Sequence, residues 1–340
     1  MEQPPPYTGQ WYQHSRERSR RSAEEIIPYV LKLTEPLSVV DVGCGVGTWL
    51  SVVREHGILD YLGVDGNWVD RTNLEIPEDR FLSFDLTGPL QLNRRFDLVI
   101  SVEVAEHLPS NCAEVFVESL TRLGPVILFS AAIPFQGGTH HVNEQWPEYW
   151  HEHFKKYRYA VIDCVRDKIW QNEKIDWWYA QNILIFADVD FLARHPLLRD
   201  ASTSSGHSPL SLVHPRKYIE DIVGMRRLLH STRDIIGLIP PTDTYILVDH
   251  DVLRQELALG RRAIPFLEHA GRYWGPPPDD DTAIKELERL RKTGPTFIVF
   301  VWPAFWLFTH YAEFHRYIRS KFNCVMENER LVVFDLRSGV

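Results

Sequence analysis

A glycine-rich segment, Val39–Gly47 with the sequence VVDVGCGVG, constrains the fold of this 340-residue chain more than any other feature. A β-branched strand pattern, Ser38–Val42, runs into it, and a helical pattern over Thr48–His56 follows. Glycine is needed where backbone approaches a ligand closely or adopts angles that a side chain forbids. The segment therefore predicts a strand, a tight turn and a helix that together bind a ligand.

Strand and helix patterns alternate from this turn onward, with helical stretches such as Asn111–Leu123 between strands. The predicted strands are Ser38–Val42, Tyr61–Val64, Phe81–Phe84, Phe96–Val102, Pro125–Ala131, Ala160–Cys164 and Tyr179–Ala187. Before them, Ser22 is predicted to cap a helix of about a dozen residues. Such alternation is typical of a mostly parallel sheet with helices on both faces. We predict a Rossmann-like α/β domain with a seven-stranded sheet over residues 1–192.

The chain changes character over residues 193–213, where small, turn-forming residues cluster without periodicity. This segment is predicted to be a linker. Helical and strand patterns resume beyond it, including a helix near Lys217–Ile236 and strands at Tyr245–Val248 and Thr296–Val301. They predict a second, smaller α/β domain, also Rossmann-like, over residues 214–340. Three roles are possible for this second domain: it recognises a glycan, forms the surface of a homodimer or covers the active site.

Composition excludes some functions. The formal net charge of −9 gives no overall attraction to phosphate backbones or anionic membranes, which argues against nucleic acid as a partner. The most apolar run, Thr296–Tyr311, contains Pro303 and is too short to span a membrane. Four scattered cysteines without CxxC spacing are typical of reduced thiols, which predicts a cytoplasmic protein.

Acidic residues stand at the ends of the first three predicted strands. Asp41 precedes the first glycine by two positions, and Asp65 ends the second strand, where an acidic side chain can accept both hydroxyls of a ribose. Asp85 ends the third strand and is placed to accept from an adenine amino group. The glycine spacing is GxGxG rather than GxGxxG, which argues against a dinucleotide.

This series, with FDLVISVEVAEHL as the fourth strand and its exit, resembles the class I S-adenosylmethionine-dependent methyltransferases over roughly residues 20–190. The resemblance implies that Asp65 binds the ribose and Asp85 the adenine of S-adenosylmethionine. The resemblance also implies that the methionine part of the cofactor is surrounded by Asp41, Gly43, Gly45 and Gly47. Ser101, in the fourth strand, is the remaining residue implied to bind the cofactor.

Two carboxylates and an imidazole follow the fourth strand, in the order Glu103, Glu106 and His107. In a helical turn the spacing i, i+3, i+4 would place them on one face. Oxygen and nitrogen donors suit Mg²⁺ or Mn²⁺, and a fourth ligand could come from the loop after strand five, where we prefer His141 to His140. The alternative is that His107 lines the cofactor pocket and the chain binds no metal.

A divalent ion would favour O-methylation, because an alcohol is a poor nucleophile until a bound cation lowers its pKa and orients its oxygen. Glu106 and His141 would then act catalytically, and His140 would accept the released proton. The Glu-x-x-Glu-His pattern with a downstream histidine resembles the metal site of the small-RNA 3′-end 2′-O-methyltransferases and of some ubiquinone-pathway O-methyltransferases.

Aromatic and amide side chains flank the predicted pocket, and the candidates for substrate contact are Trp146, Trp150, Trp178, Tyr179, Gln181 and Asn182. Aromatic faces stack on sugar rings, so the predicted acceptor is a hydroxyl of a sugar or of a glycan or natural-product precursor. The segments QGGTHHVNEQWPEYW and WWYAQN resemble methyltransferases of bacterial surface-glycan and natural-product clusters. Two alternatives remain, an RNA 2′-O-methyltransferase that uses the RERSRR run, and a non-catalytic methyltransferase-like scaffold.

Overall fold

The computed structural model describes residues 9–204 and 209–339. Contacts between residues divide the described chain into a first unit, 9–218, and a second unit, 219–339. The helical elements of the first unit, in chain order, are α1 (Gly9–Thr34), α2 (Thr48–Glu55), α3 (Ala113–Leu123), α4 (Pro147–Lys156), α5 (Arg166–Ile169), α6 (Trp177–Asn182), α7 (Val189–Arg194) and α8 (Pro196–Ser204). Its strands are β1 (Ser38–Val42), β2 (Asp60–Asp65), β3 (Phe81–Ser83), β4 (Leu98–Val102), β5 (Val126–Ser130), β6 (Tyr159–Ile162) and β7 (Leu184–Asp188).

The seven strands form one sheet in the order β3-β2-β1-β4-β5-β7-β6. The neighbours from β3 to β5 are parallel, whereas β7 is antiparallel to both β5 and β6. Alternate residues of each strand face opposite apolar clusters: Val39 packs with α1 and α2, and Val40 packs with α3 and α4. The Rossmann-like seven-stranded sheet with helices on both faces is therefore confirmed.

The parallel strands place their carboxyl ends at a single edge of the sheet, and ligands of open α/β sheets bind there. The turn after β1, Asp65 at the end of β2 and the segment after β4 all lie at this edge. The order and direction of the strands therefore bring the residues predicted to bind cofactor and metal to one edge of the sheet.

The predicted helix cap at Ser22 is wrong. Helix α1 begins at Gly9 and passes through Ser22, whose hydroxyl is fully buried and donates to the carbonyl of Arg18. Serine satisfies its hydroxyl in this way within helices as well as at their ends, which is why a serine alone is a weak boundary signal.

The last predicted strand, Tyr179–Ala187, is wrong in its first half. Residues Trp177–Asn182 form α6, and the strand begins at Leu184. Buried Trp177, Ala180 and Gln181 follow the i, i+3, i+4 spacing of a helix, whereas the run of aromatic residues had suggested a strand.

The division between the units falls later than the predicted linker, residues 193–213, because its described residues, 193–204 and 209–213, belong to the first unit. Leu198 of α8 is fully buried in the apolar cluster with α1 and α2. The carbonyl of Leu210 accepts from Nη1 of Arg166 at 2.7 Å. Leucines within the polar stretch therefore anchor it, although its composition is typical of a linker.

Helix α9 (Pro215–Leu238) crosses the division: residues 215–218 belong to the first unit, and the rest of the helix belongs to the second. The other elements of the second unit are β8 (Thr244–Val248), α10 (Arg254–Ala258), β9 (Arg262–Pro265), β10 (Glu268–His269), β11 (Arg272–Tyr273), α11 (Asp280–Arg291), β12 (Phe297–Val301), α12 (Leu307–His310), α13 (Ala312–Lys321), β13 (Phe322–Glu327) and β14 (Leu331–Gly339). Five strands form a sheet in the order β13-β14-β12-β8-β9, in which β8 is parallel to both of its neighbours. The smaller α/β domain is confirmed.

The acidic and histidine residues after β8 form a turn. The Asp249 carboxylate accepts from the backbone N–H of Asp251 at 2.9 Å and from that of Leu253 at 2.8 Å. Asp249 is therefore committed to the local backbone. Within the described residues, no helix is both long enough and apolar enough to cross a bilayer.

Candidate functional site at the carboxyl edge of the first sheet

The turn after β1 requires glycine at several positions. Gly43, Gly45 and Gly47 have φ angles of 87°, 54° and 87°, in the left-handed region that side chains disfavour. A Cβ on Gly43 would lie 2.3 Å from Cγ2 of Val104, and one on Gly47 would lie 2.7 Å from Ile76. A Cβ on Gly45 would meet open space. The backbone at Gly45 is therefore open to a ligand, and Gly43 touches the segment after β4.

Two aspartates give this turn its electrostatic character. Oδ2 of Asp65 accepts from the N–H of Gly45 at 2.6 Å, and Oδ1 accepts from the N–H of Gly66 at the same distance. Burial, together with the charge of Asp65, raises the pKa of Asp41 well above its usual range. Burial also raises the pKa of Asp65, against the opposing effect of the two N–H donors. A ligand with a positive charge or hydrogen-bond donors would relieve this burial cost.

The other two predicted cofactor residues differ in exposure. Asp85 lies two residues past β3 and is exposed, and its carboxylate accepts from the N–H and the hydroxyl of Thr87 at 3.0 and 2.8 Å. Ser101 lies in β4, fully buried, and its hydroxyl has no hydrogen-bond partner. Asp85 thus shapes a turn at the sheet edge, while Ser101 retains its full hydrogen-bonding capacity.

A cluster of three metal-ligating side chains lies next to this turn. Donor atoms of Glu106, His107 and His141 all lie within 4.8 Å of one another. The rings of the two histidines are 4.9 Å apart between centroids and nearly perpendicular. His141 reaches the cluster because the N–H groups of Val142 and Asn143 both donate to the carbonyl of Glu106, at 2.9 and 3.0 Å.

Glu106 is the exceptional member of this cluster. Its side chain is fully buried, and neither carboxylate oxygen makes a hydrogen bond of good geometry, although the backbone of Glu106 and Ala132 and the Glu103 carboxyl lie close enough to influence its pKa. Burial and the nearby Glu103 carboxylate raise the pKa of Glu106 well above its usual range. A buried carboxylate without a partner costs several kcal/mol unless it is neutralised or bound by a cation. The donor set of one carboxylate and two imidazoles fits a divalent ion such as Mn²⁺.

The electrostatics of His107 agree with that fit. Partial removal of its ring from solvent and the proximity of His141 lower the pKa of His107, although part of the residue is exposed. The neutral imidazole is the form that binds a metal. At neutral pH, His107 is therefore in the neutral form that can bind a metal.

Glu103 lies outside this cluster, unlike the predicted arrangement. Its carboxylate accepts from Oγ of Ser130 at 2.8 Å, Nε2 of Gln136 at 3.0 Å and Nδ2 of Asn182 at 3.1 Å. The predicted helical turn is a single 3₁₀ turn, Ala105–His107, and Glu103 precedes it with a left-handed φ of 56°. The i, i+3 alignment on one helix face is therefore wrong. His140 is exposed on the loop beside His141.

The six candidates for substrate contact do not form one open surface. Trp150 is buried against Phe129, with ring centroids 5.4 Å apart, and Tyr179 is buried with its hydroxyl 3.3 Å from Oγ of Ser19. The guanidinium of Arg18 lies 4.7 Å over the ring of Trp178. These three rings pack within the first unit.

Gln181 and Asn182 are buried and bonded to each other and to Gln136. The one candidate with an exposed side chain is Trp146, which is 39% exposed just before α4. The sequence did not indicate Ser130 and Gln136 as partners of Glu103, because only the folded sheet edge brings strand five and its loop to strand four.

The arginine-rich run is engaged within the first unit. Arg16 donates two hydrogen bonds to Oε1 of Glu75, at 3.0 and 2.9 Å. Arg18 pairs with Asp176 at 2.8 Å, and Arg20 pairs with Glu55 at 2.7 Å. These guanidinium groups hold α1 against Glu75, against the end of α2 and against the start of α6, so the run has a structural role.

The family comparison agrees with this geometry. Residues 12–182, half of the chain, match the model of a family described as a methyltransferase domain. No curated protein shows significant sequence similarity to the chain.

Among solved structures, the methyltransferase domain of bacterial CtHen1 is 20% identical, with a TM-score of 0.37 over 50% of this chain and 99% of that one. DesVI from Streptomyces venezuelae is 14% identical, with a TM-score of 0.41 over 53% of this chain and 96% of that one. The magnesium protoporphyrin IX methyltransferase ChlM from Synechocystis PCC 6803, crystallised with bound S-adenosylmethionine, is 16% identical, with a TM-score of 0.39 over 54% of this chain and 86% of that one.

Proposed function

Because the chain belongs to the methyltransferase-domain family, we propose that it is an S-adenosylmethionine-dependent O-methyltransferase assisted by a divalent ion. The observation that carries the O-methylation and the metal is Glu106, a fully buried carboxylate with no partner, grouped with His107 and His141. The cluster stands next to the glycine turn, since Gly43 packs on Val104.

The cofactor would bind at the carboxyl edge of β1, β2 and β4. S-adenosylmethionine would supply the electrophilic methyl group on a positively charged sulfur. The open backbone at Gly45 and the buried carboxylate of Asp41 would receive its methionine part, and Asp65 would accept from the ribose. The unpartnered hydroxyl of Ser101 and the exposed carboxylate of Asp85 offer further hydrogen bonds at the same edge.

Glu106, His107 and His141 would hold Mg²⁺ or Mn²⁺. A divalent ion held by these residues would lower the pKa of an acceptor hydroxyl and so make its oxygen a better nucleophile. His140, exposed on the adjacent loop, accepts the proton that the hydroxyl releases. Glu103, fixed by three neutral donors, keeps the end of β4 in place beside the cluster.

The acceptor is a hydroxyl of a sugar, or of a glycan or natural-product precursor. The support is the exposed ring of Trp146, which follows the His141 loop directly and offers a face for stacking. RNA is the weaker candidate, because three of the four arginines of the RERSRR run, Arg16, Arg18 and Arg20, are paired with carboxylates. The fourth, Arg21, donates to the carbonyl of Lys174.

Labelled S-adenosylmethionine tests this proposal when it is offered with nucleotide sugars, oligosaccharides and short RNAs. We expect label in the carbohydrate fraction, and we expect Trp146→Ala to raise KM for that acceptor with a smaller change in kcat, because the lost contact orients substrate. Trp306→Ala, at a tryptophan of the second unit that is 38% exposed, is the matched control. Transfer to RNA alone, or no transfer to any acceptor, would refute the sugar assignment.

A further inference from the structure

One side chain organises the loop that carries His141. Oε2 of Glu144 accepts from the N–H of Phe135 at 2.8 Å. Its other oxygen, Oε1, accepts from the N–H of Gly137 at 2.8 Å and lies 2.9 Å from Nδ1 of His141. A single carboxylate thus ties both ends of the loop to the ring.

The backbone of this loop is in an unfavourable conformation. Phe135 and His140 have φ angles of 64° and 59°, in the left-handed region, although neither is glycine. Non-glycine residues in this region are strained and persist only where surrounding contacts hold them. The bonds from Phe135 and Gly137 to Glu144 are contacts of this kind.

The contact with His141 also decides which ring nitrogen is free. An ionised carboxylate only accepts hydrogen bonds, so Nδ1 of His141 carries the proton that lies between it and Glu144. The neutral ring then presents the lone pair of Nε2. A Cβ on Gly138 would lie 2.2 Å from this Nε2, so the loop leaves room for the ring only with glycine at that position.

We propose that Glu144 is a positioning residue that fixes His141 as its Nδ1–H tautomer and folds residues 135–141 around it. Glu144 acts through His141 and does not itself touch the ion or the acceptor. Carboxylates that hold a ligating histidine in this manner change metal affinity by about 10–100-fold when removed. The catalytic consequence rests on the proposed function, whereas the tautomer is a property of the chain with or without an ion.

The test is ¹⁵N NMR of the histidine rings in the full chain at pH 8. The ring signals of His141 are identified as those that are missing from the spectrum of His141→Gln. We expect the Nδ1–H tautomer of His141 in the unmodified protein and a mixture of tautomers in Glu144→Ala. Glu152→Gln, at an exposed position of α4, is the matched control and should leave the ring signals unchanged. An Nε2–H tautomer in the unmodified protein, or an unaltered one in Glu144→Ala, would overturn the proposal.

A second readout separates this proposal from the function on which it builds. Mn²⁺ titration followed by electron paramagnetic resonance should show at least tenfold weaker binding in Glu144→Ala than in Glu152→Gln. If the unmodified protein binds no Mn²⁺, the metal assignment fails and the tautomer experiment alone decides the role of Glu144. If Glu144→Ala does not fold, Glu144→Met keeps a side chain of similar length without a strong hydrogen-bond acceptor. An unchanged His141 tautomer and Mn²⁺ affinity in that variant would count against the proposal.

Discussion

Replacing Glu106 with glutamine is expected to abolish tight Mn²⁺ binding and to lower the rate of methyl transfer at least about 100-fold, a loss of about 2.7 kcal/mol in transition-state stabilisation. The reason is that Glu106 contributes the one carboxylate of the cluster, and neither of its oxygens has a protein partner to compensate. Isothermal titration with Mn²⁺ and initial rates with labelled cofactor measure the two effects.

The same substitution should stabilise the protein when no divalent ion is present. Burial and Glu103 raise the pKa of Glu106, so the folded state binds this proton more tightly than the unfolded state does. The unfolded state therefore binds fewer protons, and stability falls as pH rises above the unfolded pKa of Glu106. Glutamine removes that dependence, and urea unfolding at pH 8 in EDTA should show a higher free energy of unfolding.

Glu114→Gln is the matched control, because Glu114 is exposed and pairs only with the surface residue Lys156. It should change neither Mn²⁺ affinity nor rate. Unaltered Mn²⁺ binding in Glu106→Gln would remove Glu106 from the metal site, whatever its effect on stability.

Replacing Gly43 with alanine is expected to destabilise the first unit by about 2–4 kcal/mol and to weaken S-adenosylmethionine binding at least tenfold. Two costs combine at this position: a φ of 87° and a Cβ placed 2.3 Å from Val104. To relieve that clash Val104 must move. Val104 packs against the glycine turn and lies two residues before Glu106.

Gly57→Ala separates the two costs. Gly57 has a similar φ of 91°, but a Cβ there meets nothing within 4 Å. We expect it to lose only the conformational part, about 1 kcal/mol, and to bind S-adenosylmethionine normally. Urea unfolding and calorimetric titration compare the two variants. Equal destabilisation, or unchanged cofactor affinity in Gly43→Ala, would contradict the assigned role of the turn.

Local signals predicted the parts of the site that depend on backbone. The spacing of Gly43, Gly45 and Gly47 after a β-branched strand requires a particular turn, and alternating strands and helices require a parallel sheet whose strand ends meet. Asp41, Asp65 and Glu106 therefore reach one edge without any knowledge of side-chain packing.

The parts that failed depend on side-chain direction. Glu103 was predicted to share a helix face with Glu106, but a left-handed φ turns it toward Ser130, Gln136 and Asn182. Three of the aromatic candidates, Trp150, Trp178 and Tyr179, pack against residues that are distant in the sequence. Sequence spacing identifies which residue types are near a strand end, and tertiary contacts decide where each one points.

The role of Glu144 illustrates the same limit. The pattern HHVNE offers no sign that its glutamate accepts from two backbone amides nine and seven residues earlier. The fold of the loop alone brings Phe135, Gly137 and His141 to one carboxylate.

The most direct test of the central claim is the initial rate of methyl transfer from labelled S-adenosylmethionine after exhaustive treatment with EDTA, before and after Mn²⁺ or Mg²⁺ is restored. We expect the treated protein to be inactive and the added ion to restore the rate, with no restoration in Glu106→Gln. A rate that is unchanged in excess EDTA would contradict a metal-assisted O-methyltransferase and would leave Glu106, His107 and His141 as part of a metal-free pocket.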